Sequence, residues 1–320
     1  MDISIIIVNY NVYEHLINCI KSVKENIKKD LEYEMFVVDN NSSEGSIDKI
    51  LHEFSDAKLI KMKKNVGFGA ANNEAFKRAA GNYFLIINPD VKVLDDCIQK
   101  LVKFMEDNSN VGVVAPALYT PNNKFDYYYS YLPSTYSILM QQFGLYNKAR
   151  MMRKRMTDYF DEKISEGKPF RVEQVMGACF LTRKTIYDKI GGFDEAFFLY
   201  QEETDWEFRM SKESWKIMVL PIAKAIHDHH SSANKLGRIY VGFQGLRSIL
   251  IYYTKNFGFI KRNFLRITMI TALFVRAIKY ALIYLFQPKN LSDSLYYTFK
   301  LFAMSLKPRK ALISGRYFFE

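Results

Sequence analysis

Carboxylates stand beside apolar runs at three places in this 320-residue chain: Val37-Val38-Asp39-Asn40-Asn41-Ser42, Leu85-Ile86-Ile87-Asn88-Pro89-Asp90, and Phe198-Leu199-Tyr200-Gln201-Glu202-Glu203-Thr204-Asp205-Trp206. In the first two the acid falls where a buried strand would run out. The ligand crevice of an open parallel sheet lies beyond the carboxyl ends of its strands, so such an acid faces a site. Pro89 cannot donate to a sheet ladder and ends its strand just before Asp90. A hard carboxylate there suits Mg²⁺ or Mn²⁺, which prefer oxygen ligands and bridge diphosphates; a turn or helix-capping aspartate is the alternative. Glu202, Glu203 and Asp205 put three acids into four residues. Like charges that close raise at least one pKa, which suits a general base near neutrality, although a solvated helix start also welcomes acids.

Two further segments have chemistry in them. His227-Asp228-His229-His230 holds three of the five histidines, and an imidazole there could complete a metal shell begun by Asp90; spacing does not choose among the three. Asn65-Val66-Gly67-Phe68-Gly69-Ala70-Ala71-Asn72-Asn73 has the G-x-G of a phosphate loop but lacks the third glycine of a dinucleotide fingerprint. A nicotinamide-dependent oxidoreductase is the rival enzyme reading on that partial motif. No HExxH, G-x-S-x-G or Walker loop occurs, which disfavours zinc proteases, serine hydrolases and P-loop enzymes.

These residues need a frame to hold them. Ile3 to Asn9 is a β-branched run typical of a strand buried on both faces, and Leu16, Ile20 and Val23 give 13–26 helical spacing. Strands are expected at 34–38, 58–61, 83–87 and 177–181, and helices at 46–54, 70–80 and 184–190, the last ending at Gly191-Gly192. That alternation predicts a parallel, doubly wound sheet. Between 119 and 171 the pattern breaks into clusters such as Tyr127-Tyr128-Tyr129, an acceptor-facing insertion or a plain surface excursion.

Composition bounds the setting. The chain is 49% apolar, and its cysteines, Cys19, Cys97 and Cys179, are odd in number with no CxxC spacing. Neither a disulfide framework nor a thiolate zinc site is indicated, and a reduced, cytosolic compartment is expected. The N-terminus lacks a basic n-region, so no signal peptide is read there. Of the net charge of +11, residues 255–320 carry +10, from twelve Lys or Arg against two acids. That tail is also dense in Phe, Tyr, Leu and Ile, which fits an anionic membrane surface and not nucleic acid. The apolar stretch 264–286 is broken by Arg266, Arg276 and Lys279; with Arg262 these fall within an arc of about 140°, predicting an amphipathic surface helix and no membrane span, with packing on the rest of the protein as the alternative.

Taken together and in order, the segments 4–11, 37–43, 65–73 and 88–90, Gly191-Gly192-Phe193-Asp194, Glu202-Glu203 with Asp205, and His227 resemble the family 2 glycosyltransferases of the GT-A fold, and more narrowly their rhamnosyltransferase-like branch. The resemblance spans residues 2–235. It implies an α/β GT-A domain over 1–238, Rossmann-like with a mostly parallel sheet flanked by helices, followed by a helical, basic, membrane-associating region over 239–320. That family moves a sugar from a nucleotide-diphosphate donor to an acceptor hydroxyl with inversion. By motif, Val8, Tyr10 and Asn11 would border the nucleotide, Asp39 would bond the base, Asn41, Asn65, Gly67 and Asn73 would line the nucleotide pocket, and Asn88 would lie beside the donor. Asp90 and His227 would meet Mg²⁺ or Mn²⁺ and the diphosphate. Relatives usually carry Glu-Asp where this chain has Glu202-Glu203, so Glu203 would replace the aspartate base, with Glu202 the other candidate. The implied partners are a dTDP- or UDP-sugar, a glycan or lipid-linked acceptor and an anionic membrane surface; the implied location is the cytoplasmic face of the cell membrane. Retained Asp90, Glu203 and His227 argue against a catalytically inactive sugar-nucleotide-binding protein.

Overall fold

The computed structural model describes residues 1–28, 30–43, 47–127, 129–142, 146–228, 238–286 and 292–306. The strands are β1 (Ile3–Asn9), β2 (Tyr33–Asp39), β3 (Ala57–Lys61), β4 (Tyr83–Ile87), β5 (Val91–Val93), β6 (Val111–Tyr119), β7 (Phe125–Asp126), β8 (Tyr129–Ser130), β9 (Phe170–Val172), β10 (Gln174–Val175), β11 (Cys179–Arg183) and β12 (Lys216–His227). The helices are α1 (Tyr13–Asn26), α2 (Asp48–Glu53), α3 (Phe68–Phe76), α4 (Cys97–Asp107), α5 (Thr135–Gln142), α6 (Tyr146–Glu166), α7 (Lys184–Ile190), α8 (Glu202–Lys212), α9 (Arg238–Asn256), α10 (Phe259–Phe286) and α11 (Ser292–Ser305).

Every residue of β1 is buried, as a β-branched strand covered on both faces requires. The main sheet runs β3-β2-β1-β4-β11-β6-β12-β5, with β7 on β6 and β9 on β12. Its first four strands are parallel, as the alternating pattern predicts. Beyond β4 the sheet is mixed: β11 enters antiparallel between β4 and β6, while β6 and β12 pair in parallel. Helices cover both faces. Leu16 and Ile20 of α1 and Leu101 and Met105 of α4 fill one core; Phe76 of α3 and Trp206 and Met210 of α8 fill the other.

The chain winds outward from β1 through β2 to β3 and then returns to place β4 on the other side of β1. That reversal is a topological switch point, and the carboxyl ends of β1 and β4 open a crevice there. Register sets the level of the crevice: Asn9 pairs with Asp39, and Ile7 pairs with Ile87, one residue before Asn88. At the amino end of these strands, opposite the crevice, Glu34 accepts hydrogen bonds from Ser4 Oγ at 2.6 Å, Ala80 N at 2.7 Å and Lys58 Nζ at 2.6 Å.

Part of this frame is hidden in the sequence. The 21-residue α6 lies in the stretch expected to be irregular, because its aromatic and basic clusters make no sustained apolar stripe. The chain divides into two compact units, Met1–Leu132 with Met156–Glu195 and Glu202–Lys235, and Pro133–Arg155 with Ala196–Gln201 and Leu236–Glu320. The second therefore takes two segments that precede residue 238. Within it, Arg247 Nη1 donates to Ala196 O at 3.3 Å and Ser248 Oγ to Leu199 O at 2.9 Å. Among the described residues no helix is long and apolar enough to cross a membrane.

Candidate functional site

At the end of β1, Asn9 Nδ2 donates to Asp39 Oδ1 at 3.3 Å and to Ser42 Oγ at 3.0 Å, and Ser42 N donates to Asp39 Oδ2 at 3.3 Å. Asn11, at φ 58°, receives Ser43 N on its Oδ1 at 2.8 Å. The result is a hydrogen-bonded polar rim with Tyr10 half-buried within it. Asn65 and Gly67 join this rim through Asn40, whose Nδ2 donates to Asn65 Oδ1 at 2.9 Å and whose Oδ1 accepts Val66 N at 2.9 Å. Gly67 sits at φ 87° and starts α3, a conformation that glycine adopts without strain. Asn41, by contrast, is exposed, and Val8 belongs to the apolar core. Asn73 clasps the backbone of Phe193, donating to its O at 2.8 Å and accepting its N–H at 3.0 Å.

The second glycine of the G-x-G loop serves packing. A Cβ on Gly69 would lie 2.9 Å from Phe193 Cβ and 3.4 Å from Glu202 Cβ. That close helix contact accounts for the glycine without a dinucleotide, so the oxidoreductase reading is not favoured.

The carboxylate at the end of β4 is nearly inaccessible. Asp90 Oδ1 lies 3.3 Å from His227 Nε2, and His227 Nδ1 lies 3.2 Å from Asp126 Oδ2. Strand pairing assembles this row: His227 pairs with Val91 across β12 and β5, Ile226 pairs with Tyr119 of β6, and the β6–β7 hairpin carries Asp126. Burial would push the His227 pKa down, but hydrogen bonds and charge from Asp126 and Asp90 outweigh it and raise it to about 9. The register places His227 beside Asp90; His229 and His230 lie outside the described residues. Asp126 had no sequence signal, because it falls in the stretch where periodicity is lost.

A divalent cation fits this corner on one observation: Asp90 Oδ2 is buried and has no hydrogen-bond partner among the described residues. Among the described residues no three His, Cys, Asp or Glu side chains converge on one point. Asp90 and His227 would therefore hold the cation together with ligand oxygens, the mode Mg²⁺ adopts with substrate phosphates. Asp126 would orient the imidazole from outside that shell.

The acid cluster divides into distinct environments. Tyr200 and Gln201 both have positive φ, 66° and 68°, so the chain enters α8 through a strained turn. Asp205 pairs with Arg209 at 2.9 Å, whose guanidinium also donates to Ile190 O and Gly192 O; this acid anchors α8. Glu207 accepts Val175 N on both carboxylate oxygens. Glu202 is buried, whereas Glu203 is half-buried and accepts Gly177 N at 2.9 Å. Desolvation raises the Glu203 pKa against the pull of that N–H, the condition expected of a base near neutrality. Ala178, next along the chain, accepts Asn88 N at 2.8 Å. One dipeptide thus ties the Asn88-Pro89-Asp90 turn to Glu203.

A mixed sheet with its polar crevice at the β1/β4 reversal and helices on both faces is a GT-A fold. A crystal structure of GalNAc-T7 with UDP, GalNAc and Mn²⁺ matches 98% of this chain at a TM-score of 0.62 and 13% identity, and the chain covers 56% of that longer protein. Residues 4–191 match Glycosyl transferase family 2, and the chain belongs to that family. Among curated relatives, an N-acetylglucosaminyl-diphospho-decaprenol L-rhamnosyltransferase of Mycobacterium tuberculosis is 22% identical over 72% of this chain and 77% of its own length. The rhamnosyltransferase WbbL of Escherichia coli K12 is 23% identical over 78% and 94%.

Proposed function

We propose that the chain is an inverting glycosyltransferase that moves a sugar from a nucleotide diphosphate to a hydroxyl of a lipid-linked or cell-envelope glycan. The observation that carries this is the Gly177-Ala178 dipeptide, which holds Glu203 through the Gly177 N–H and the Asn88-Pro89-Asp90 turn through the Ala178 carbonyl. A base and a diphosphate corner fixed to one backbone can face opposite sides of an anomeric carbon. In the single displacement, the acceptor oxygen forms a bond to that carbon as its bond to the diphosphate oxygen breaks. Glu203 takes the hydroxyl proton, with Glu202 as the alternative base, and the diphosphate leaves with the bonding pair. Asp39, Asn65, Gly67, Tyr10 and Asn11 would hold the nucleoside at the rim, and Asn88 would lie beside the diphosphate. When bound, Mg²⁺ or Mn²⁺ supplies neutralisation of charge on the departing diphosphate, and Asp90 and His227 are the side chains that would hold it.

The names of the two relatives support a deoxyhexose donor such as dTDP-rhamnose, with a UDP-sugar as the alternative, and the mycobacterial one supports a lipid-linked acceptor. An acceptor of that kind places the enzyme peripherally on the cytoplasmic face of the membrane, with residues 239–320 as the attaching region. Thermal-shift titration with dTDP, UDP and GDP, each with and without Mn²⁺, tests the donor site, because a bound nucleotide raises stability by mass action. A cation-dependent rise with one nucleotide is expected; no rise with any of the three would overturn the reading.

A further inference from the structure

The arginines of the basic arc of α10 do not form the face left in water. Leu265, Met269, Leu273 and Ala277 are buried, and they lie on the same side of the helix as Arg262, Arg266 and Arg276, which are themselves partly covered. Arg266 Nε donates to Ser305 O at 2.7 Å, at the carboxyl end of α11, where a cation also meets the helix dipole. The face opposite is apolar but for Thr271. Phe264, Ile267, Phe274, Val275, Ile278 and Leu282 are all about half exposed or more, and at ~100° per residue they share an arc of about 100°. The arginine-bearing side of α10 is thus the side that packs, and its exposed stripe is the apolar one. α11, packed on α10 through Phe302 against Phe274 at 6.2 Å, adds exposed Tyr296 and Phe299.

A helix that packs by one side and exposes an apolar stripe on the other has a second apolar medium to meet. Its occupant is indicated by charge. The exposed Lys261 and Lys279 both fall ~40° beyond one edge of the stripe, placed to reach headgroups while their stems follow the apolar surface. Residues 255–320 carry a net +10. We infer that α10 lies in the plane of an anionic bilayer with its Phe264–Ile267–Phe274–Ile278–Leu282 stripe inserted among the acyl chains and Lys261 and Lys279 at the phosphates. This deepens the peripheral attachment proposed above and rests on that reading for its setting.

All three cysteines are buried, so a cysteine introduced in Ile267→Cys can be labelled selectively with an environment-sensitive fluorophore. With full-length protein and vesicles of phosphatidylglycerol and phosphatidylcholine, its emission should shift to the blue and be quenched by lipids brominated in the acyl chain; vesicles of phosphatidylcholine alone should give little of either. Ile267→Glu together with Phe274→Glu should lower vesicle partitioning more than about tenfold. Lys261→Glu with Lys279→Glu should lower it at low salt by at least about fivefold per lysine. Nucleotide-dependent thermal shift, read on the same variants, should not change, so failure of the donor reading and failure of this one are separable. Unchanged partitioning of the stripe variant, or a label shielded equally without vesicles in a protein that sediments as a dimer, would overturn the inference; the second result would assign the stripe to another copy of the chain.

Discussion

A methyl group at buried Gly177 would have no room. Its carbon would fall against Glu203 Oε1, and it would lie 3.1 Å from both Glu203 Cδ and Phe68 Cε1. Gly177→Ala leaves every ionisable group in place, yet it drives the Glu203 carboxylate off the N–H that now meets it at 2.9 Å. Restoring ordinary contact moves the carboxylate by about 1 Å, and a misplacement of that size costs about 10²-fold in turnover. That loss equals about 2.7 kcal/mol of barrier. Overpacking should cost a further ~1–3 kcal/mol of stability, small enough to leave a folded protein. The assay is steady-state sugar transfer at saturating donor, with donor affinity measured by calorimetry on the same preparations. Gly242→Ala, where an added Cβ meets no described residue beyond its own helix within 4 Å, is the control and should be nearly silent. A Gly177→Ala enzyme with kcat within about threefold of the parent, beside a Glu203→Gln enzyme that has lost most of its turnover, would refute the positioning argument.

Glu203→Gln should retain donor binding, lose ~10²–10⁴-fold in turnover and lose the acid limb of the pH–rate profile, which in the parent should lie above the ordinary carboxylate range. If Glu202→Gln is inactive while Glu203→Gln is nearly normal, the base has been misassigned. Asp90→Ala should abolish turnover and remove Mn²⁺-dependent donor binding while melting stays cooperative; calorimetry showing unchanged Mn²⁺ dependence would contradict that role. Asp126→Asn should weaken Mn²⁺ binding about 10–100-fold by releasing the His227 ring, with donor binding in the absence of metal unaltered. Burial works against the Glu34 carboxylate, but bonds from Lys58, Ser4 and Ala80 outweigh it and hold its pKa below the ordinary 4.5. Its stabilising contribution is therefore present at neutral pH and lost as pH falls below 4.5 through the lowered value, so Glu34→Gln should flatten the acid side of the stability curve in denaturant titrations. An unchanged acid limb would remove Glu34 from that account.

What the sequence determined by itself was set by neighbours along the chain. β-branched runs and the stop at Pro89 fixed where β1, β2 and β4 end, and with them the positions of Asp39 and Asp90. Their odd number and spacing gave no disulfide framework for the three cysteines, and the structure holds them free and buried. What only the tertiary structure decided depends on residues far apart in sequence. Asp126 and His227 are 101 residues apart and meet because a hairpin on β6 and the end of β12 share one register. Gly177 is explained only once α8 and α3 are docked, since the atoms that leave no room for a Cβ there belong to Glu203 and Phe68. In α10, period 3.6 says which residues share a face, and packing alone says which face is covered. Local backbone preference acts over a few residues, whereas strand register and the choice of buried face minimise a free energy summed over the whole fold.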